Sequence, residues 1–225
     1  MKLSDEPRRI IEYDFPISVV SESGRQEKNM RKGHLWHIHI WWARRPFGVC
    51  RSVILASLLP APIDPNCPQS FKIKAREIFK LNGWTNVDTD EKLHKTIVNF
   101  IGNFANWDIS FNEAYMQIAQ DLIRGAYNGE IPLVFDSFAG NGAIPVEAAR
   151  MGLESIAIDL NPVANLLLKL GVEYIPSSSQ RIVDLYDKWA ELFKNRVYEK
   201  LKHYYPATAT YKTPLAYLWA RTVRC

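Results

Sequence analysis

IPLVFDSFAGNGAIPVEAARMGLESIAIDLNPVA, residues 131–164, carries the pattern on which the fold turns. Ile131 to Phe135 is a short apolar run bounded by Gly129 and the loop that opens at Asp136, as expected of a buried parallel strand. Ala143 to Met151 reads as a helix and Ser155 to Ile158 as a second strand. Pro162 to Leu170 reads as a second helix, entered at Asn161. Strand, helix, strand, helix at this spacing predicts the start of a doubly wound α/β sheet.

The turn between the first strand and its helix carries the chemistry. Gly140 and Gly142 permit backbone angles and a close ligand approach that side chains there would block. Free amides near Ala143 and the helix dipole favour oxygen atoms, including the carboxylate of an amino-acid moiety. Asp159 stands where the second strand would end, and a carboxylate there accepts hydrogen bonds from the two hydroxyls of a ribose. A glycine pair alone occurs in many turns, so the weight lies on the combination. A phosphate-cradling loop is disfavoured because no Gly-Lys-Ser/Thr follows, and a nicotinamide fingerprint would need glycine where Pro145 stands.

The strings DSFAGNGAIPVEA at 136–148, DLNP at 159–162 and HLWHIHIWWARRP at 34–46 together resemble the large adenine-specific DNA methylases that carry an internal zinc ribbon. The resemblance covers nearly the whole chain. It implies an α/β fold, a partial doubly wound (Rossmann-like) class I methyltransferase sheet with a helical insertion and an N-terminal arm. It also implies S-adenosylmethionine as cofactor. The residues it assigns to that cofactor are Asp136, Phe138, Ala139, Gly140, Asn141 and Gly142 of the loop, Asp159, Leu160 and Asn161 after the second strand, and Arg45 and Pro46. The last two belong to Arg44-Arg45-Pro46 and the apolar helix Phe47 to Leu59, which look like the Lys/Arg-Pro motif beside the methionine half of the cofactor. This expects Trp42 to Pro46 to fold against the glycine loop.

No Pro-Pro dipeptide occurs in the sequence, so the Asp/Asn-Pro-Pro-aromatic element that holds a target amine in such enzymes is missing and no catalytic residue is assigned. The segment Thr213 to Cys225 resembles the entry to the zinc ribbon. Cys225 would then be a first ligand without its other three, and one thiolate holds no tetrahedral zinc, so no metal is expected. The chain is read as the cofactor-binding N-terminal part of an adenine-specific DNA methyltransferase. It is expected to be inactive until a C-terminal part supplies the ribbon and the catalytic motif. The alternatives are a non-catalytic DNA-docking or regulatory module, and a transferase part acting on RNA or protein.

Trp36, Trp41 and Trp42 lie among Arg25, Lys28, Arg31, Lys32, Arg44, Arg45 and Arg51, with Glu27 the only acid between residues 25 and 51. Cations meet phosphates and flat rings stack on bases, so Arg31, Lys32, Trp41, Trp42 and Arg44 are candidate DNA contacts. The competing reading makes the tryptophans core and the arginines solvated. His34, His37 and His39 invite a metal, but in an extended chain His34 falls on the face opposite the other two.

The rest of the chain sets the frame. Residues 1–33 are polar with Gly24 and Gly33 as breaks, which predicts an irregular arm with one short strand near Phe15 to Val20. His34 to Trp42 alternates and predicts an extended segment. Helices are expected over Phe71 to Leu81, Asp90 to Phe104, Asn112 to Tyr127 and Gln180 to Tyr204. The expected divisions are an N-terminal segment at 1–66, a helical insertion at 67–130 and the first half of a methyltransferase domain at 131–225. A chain of 225 residues that is 47% hydrophobic and 23% charged has a globular balance. A net charge of +4 permits a nucleic-acid partner without requiring one. Cys50, Cys67 and Cys225 are odd in number and scattered, which excludes a disulfide framework and suggests a reduced compartment with Cys50 and Cys67 as small buried hydrophobes. Met1 to Arg9 lacks the apolar core of a signal peptide and no run approaches a membrane span, so a cytoplasmic protein without a membrane partner is expected.

Overall fold

The structure, a computed structural model, describes residues 6–30, 34, 37–178, 180–205 and 221–222. Its helices are α1 (Ile10–Tyr13), α2 (Ile17–Lys28), α3 (Phe47–Leu58), α4 (Gln69–Leu81), α5 (Asp90–Phe104) and α6 (Glu113–Ala126). Strand β1 (Leu133–Asp136), α7 (Ala143–Arg150), β2 (Glu154–Ala157) and α8 (Pro162–Leu168) follow, and a π turn, Lys169–Tyr174, continues α8.

Helical spacing of apolar residues builds the core. Phe71, Ala75 and Phe79 recur every fourth residue on α4, and Leu93, Ile97, Phe100, Ile101 and Phe104 line one face of α5; all are buried. They meet Leu55 and Leu59 in and after α3, Leu122 of α6 and Ala148 at the end of α7. Aromatic rings fill the centre, with Phe100 stacked on Tyr115 at 5.2 Å between centroids and set edge-on to Phe79 at 5.8 Å. Side-chain caps start the helices where the sequence offers them. Thr89 Oγ1 accepts the Lys92 amide before α5, and Asn112 Oδ1 accepts that of Tyr115 in α6.

The doubly wound, Rossmann-like sheet expected from residues 131–170 is not what these residues form. The described residues are 64% helical, with two four-residue strands. β1 and β2 pair in parallel, Leu133 opposite Glu154 through Asp136 opposite Ala157, and α7 connects them. The sequence pattern therefore yields one strand–helix–strand unit and no further strand among the described residues. Nor are these strands buried. Leu133, Phe135 and Ile156 alternate along them and are 56%, 62% and 47% exposed, because the described helices leave that face of the sheet uncovered.

The N-terminal region also differs. Phe15 to Val20 forms no strand; α2 spans Ile17–Lys28, with Val20, Gly24 and Glu27 on its buried face. Gly24 is not a break but a point of close approach, since a Cβ there would lie 2.7 Å from Val49 Cγ2 of α3. Of the segment expected to be extended, His34 to Trp42, residues 37–42 instead belong to an irregular strap, 37–45, that leads into α3.

By its internal contacts the chain divides into two units, Met1–Pro176 and Ser177–Cys225. The second contains the helix Gln180–Leu201, which keeps Ile182, Tyr186, Trp189 and Phe193 exposed on one side. Among the described residues no helix is long and apolar enough to cross a membrane. Thr213 to Ala220 lies outside the described residues, as does Cys225, so the ribbon-like segment has no structural description.

Candidate functional site

The end of β1, the loop after it and the end of β2 are sewn together by backbone bonds. Ile158 N donates to Asp136 O at 2.9 Å, and Ala139 N donates to Ile158 O at 3.1 Å. The loop then turns through two left-handed glycines, Gly140 at φ +54° and Gly142 at φ +83°. Gly142 begins α7, and a Cβ on it would lie 3.0 Å from Leu168 Cδ2. Beyond β2, Asp159 reaches back to the loop. Its Oδ2 accepts the Gly140 amide at 2.8 Å and its Oδ1 accepts the Asn161 amide at 2.8 Å. Asn161 Oδ1 in turn caps α8 through the Val163 amide.

These residues open onto a cleft of about 410 Å³. Asp136, Phe138, Ala139, Gly140, Asn141, Asp159, Leu160 and Asn161 line it on one side, and Trp41, Trp42 and Arg45 of the strap line it on the other. Strap and loop touch directly, since a Cβ built on Gly140 would lie 2.9 Å from Trp41 Nε1. Of the residues expected to hold a cofactor, Gly142 and Pro46 do not line the cleft. Gly142 is buried beneath it, and Pro46 is buried at the entry to α3. Trp42, Phe138 and Leu160 stand 88%, 86% and 98% exposed at the rim, an unusual cost for large apolar groups unless a ligand covers them.

The candidate DNA contacts divide. Trp41 and Trp42 belong to the cleft; Arg44 is half-buried and donates to the Lys28 carbonyl at 3.1 Å, which ties the strap to the end of α2. Arg31 and Lys32 lie outside the described residues, as does Trp36. Arg51, read with the basic segment, is fully buried and faces no solvent.

Two buried polar networks hold this site, and both turn on residues that sequence reasoning passed over. Glu27, 1% exposed, takes the first amides of α3, Phe47 N at 2.6 Å and Gly48 N at 2.9 Å, and its Oε1 also meets His34 Nε2 at 3.0 Å. The His34 ring lies against Trp107 at 4.0 Å, so His34 anchors the strap instead of facing a metal. The second network is Arg51, Glu147 and Arg150. Arg51 donates to the carbonyls of Phe104 and Asn106 and to Ser110 Oγ, and lies 3.4 Å from Glu147. Glu147 Oε1 also accepts from Arg150 at 2.7 Å, and Arg150 reaches the Ser110 carbonyl.

Burial pushes the Glu147 carboxyl above its usual range and lowers Arg51, with each charge opposing the other's shift. The network fixes α7, the helix that follows the glycine loop, to α3 and to the turn after α5. Its buried pair, Arg51 and Glu147, left a trace in the sequence. Arg51 is the one cation in an otherwise apolar helix, and Glu147 sits among small apolar residues, a pattern that charges adopt when paired. Cys50 and Cys67 are buried and free, and burial pushes their thiols up to about 12 and about 11, so neither is poised as a nucleophile or ligand.

A family model described as a protein of unknown function, DUF1156, matches residues 14–81, a stretch that takes in α2, the strap, α3 and α4 and ends before the glycine loop. No curated protein and no solved structure matches the chain.

Proposed function

We propose that the cleft binds S-adenosylmethionine and that the chain is the cofactor-binding part of an adenine-specific DNA methyltransferase. The observation that carries this reading is the bridge from Asp159 to Gly140, which places a carboxylate beside a left-handed glycine turn at one cleft. Each Asp159 oxygen already accepts one amide and keeps a lone pair for a donor, which suits the two hydroxyls of a ribose. Asp136 supplies negative charge for an ammonium group, and exposed Arg45 supplies a partner for a carboxylate. Phe138, Leu160 and Trp42 offer apolar surface to a flat base. Charges and shape together fit an amino acid joined to a nucleoside.

When bound, S-adenosylmethionine supplies an electrophilic methyl group. The residues of this chain bind and orient it; no side chain here is assigned to hold the acceptor amine. We assign that task to a C-terminal methylase part with a zinc ribbon and an Asp-Pro-Pro-Tyr motif. The uncovered apolar face at Leu133, Phe135 and Ile156 is the surface such a part would bury. DNA is the proposed substrate, and of its expected contacts Trp41 and Trp42 line the cleft. Calorimetric titration with S-adenosylmethionine tests the reading: one saturable site is expected, lost in Gly142→Val.

A further inference from the structure

Next to the cleft, sharing Asn141 with it, lies a second chamber of about 240 Å³. Its walls include Ile38 and His39 of the strap, Phe47 at the start of α3, Val146 of α7, Leu167 of α8, and Leu170 with Gly171 of the π turn. The π turn is the telling wall. Its wider repeat is rare and is frequently found at functional sites. It sets Gly171 against α7 so closely that a Cβ there would lie 3.0 Å from Val146 Cγ2. A side chain there would press on Val146, so glycine leaves this contact relaxed.

The chemistry of the walls selects the occupant. Arg150 is the one charged residue among them, and its guanidinium is already committed to Glu147 and the Ser110 carbonyl. A charged ligand would lose its hydration here without gaining a partner. A plain alkyl chain would make no use of His39 and Asn141. Phe47 and His39 offer ring surfaces, and aromatic pairs gain beyond the area they bury. Size agrees, since a cavity of about 150 Å³ accepts benzene and this larger space, open to solvent on one side, has room for two fused rings.

We propose that the chamber is a binding site for a neutral aromatic molecule of one or two fused rings with a hydrogen-bonding edge. It does not depend on what fills the neighbouring cleft.

Indole titrated into the full chain, without cofactor, is the test, followed through the methyl resonances of isoleucine, leucine and valine. Saturable shifts are expected at Ile38, Val146 and Leu170, with Leu160 of the cleft unmoved. Val146→Phe, which fills the chamber from α7, is expected to weaken indole at least tenfold. Should that variant not fold, Ile38→Trp narrows the same space from the strap, away from the helical core, and is expected to do the same. Three results would overturn the proposal: no saturation by indole, shifts spread evenly over exposed apolar residues, or 1-hexanol binding more tightly than indole. Because no cofactor is present, failure of the S-adenosylmethionine reading leaves this test intact.

Discussion

Asp159 holds the amide of Gly140, its Oδ2 2.8 Å from that nitrogen, and so ties the tip of the glycine turn to the end of the neighbouring strand. Its other oxygen holds Asn161. Asp159→Ala removes both bonds and the acceptors proposed for a ribose. Loss of about 1 to 3 kcal/mol of S-adenosylmethionine affinity is expected. Calorimetry measures it, and unchanged affinity would separate Asp159 from the ligand.

Gly142 sits at φ +83° with Leu168 at its back. A β-branched residue pays both for that backbone and for the contact, about 1 to 3 kcal/mol for the backbone alone. Gly142→Val is expected to lower the denaturant midpoint and abolish cofactor binding, with Gly142→Ala intermediate. Wild-type affinity in a folded Gly142→Val would show that the turn does not shape the site.

Glu27 joins the strap to the rest of the molecule by receiving the Phe47 and Gly48 amides and His34 in one buried carboxylate. Glu27→Ala leaves two buried backbone amides and the His34 ring without their acceptor, and at about 1 to 3 kcal/mol for each unsatisfied amide a loss of about 2 to 6 kcal/mol in unfolding free energy is expected. Urea unfolding reads this directly. A loss below about 1 kcal/mol, the scale of an exposed pair, would mean that Glu27 is solvated.

Arg51→Met should cost a similar amount, because Glu147 would remain buried with only Arg150 beside it. The double variant Arg51→Met/Glu147→Leu is expected to be less destabilised than the two single changes summed, since no uncompensated carboxylate remains. Strict additivity would deny that the two charges act as a pair.

His94 gives the pH dependence. It is buried, neither ring nitrogen has a hydrogen-bond partner, and the Asp14 carboxylate is 4.0 Å away. Burial lowers its pKa below the ordinary 6.5, with Asp14 opposing. Above that value both folded and unfolded chains carry neutral imidazole. As pH falls through it the unfolded chain takes up the proton first, so stability declines on acidification. His94→Phe is expected to flatten this limb of the profile and to leave stability at neutral pH unchanged or raised. A wild-type profile flat between neutrality and the carboxylate range would contradict it.

Helices were legible wherever apolar residues kept a helical period. The expected Asp90 to Phe104 helix coincides with α5, and the one expected over Phe71 to Leu81 begins two residues early, at Gln69. The glycine turn was legible from two glycines between a strand and a helix. The sheet was not, because a strand–helix–strand pattern specifies one parallel pair and says nothing of how many strands join it. Phe15 to Val20 misled for a similar reason: over so short a run, alternation and helical spacing select overlapping residues, and the burial of Gly24 and Glu27 on one face of α2 decided for helix. Glu27 and Arg51 were missed because a charged residue reads as solvated until its partner, 20 or 96 residues away, is folded against it.

Titration of the full chain with S-adenosylmethionine tests the proposed function most directly. One saturable site is expected, weakened in Asp159→Ala and absent in Gly142→Val. A folded chain that gives no saturable heat, or one whose affinity both substitutions leave untouched, would contradict it.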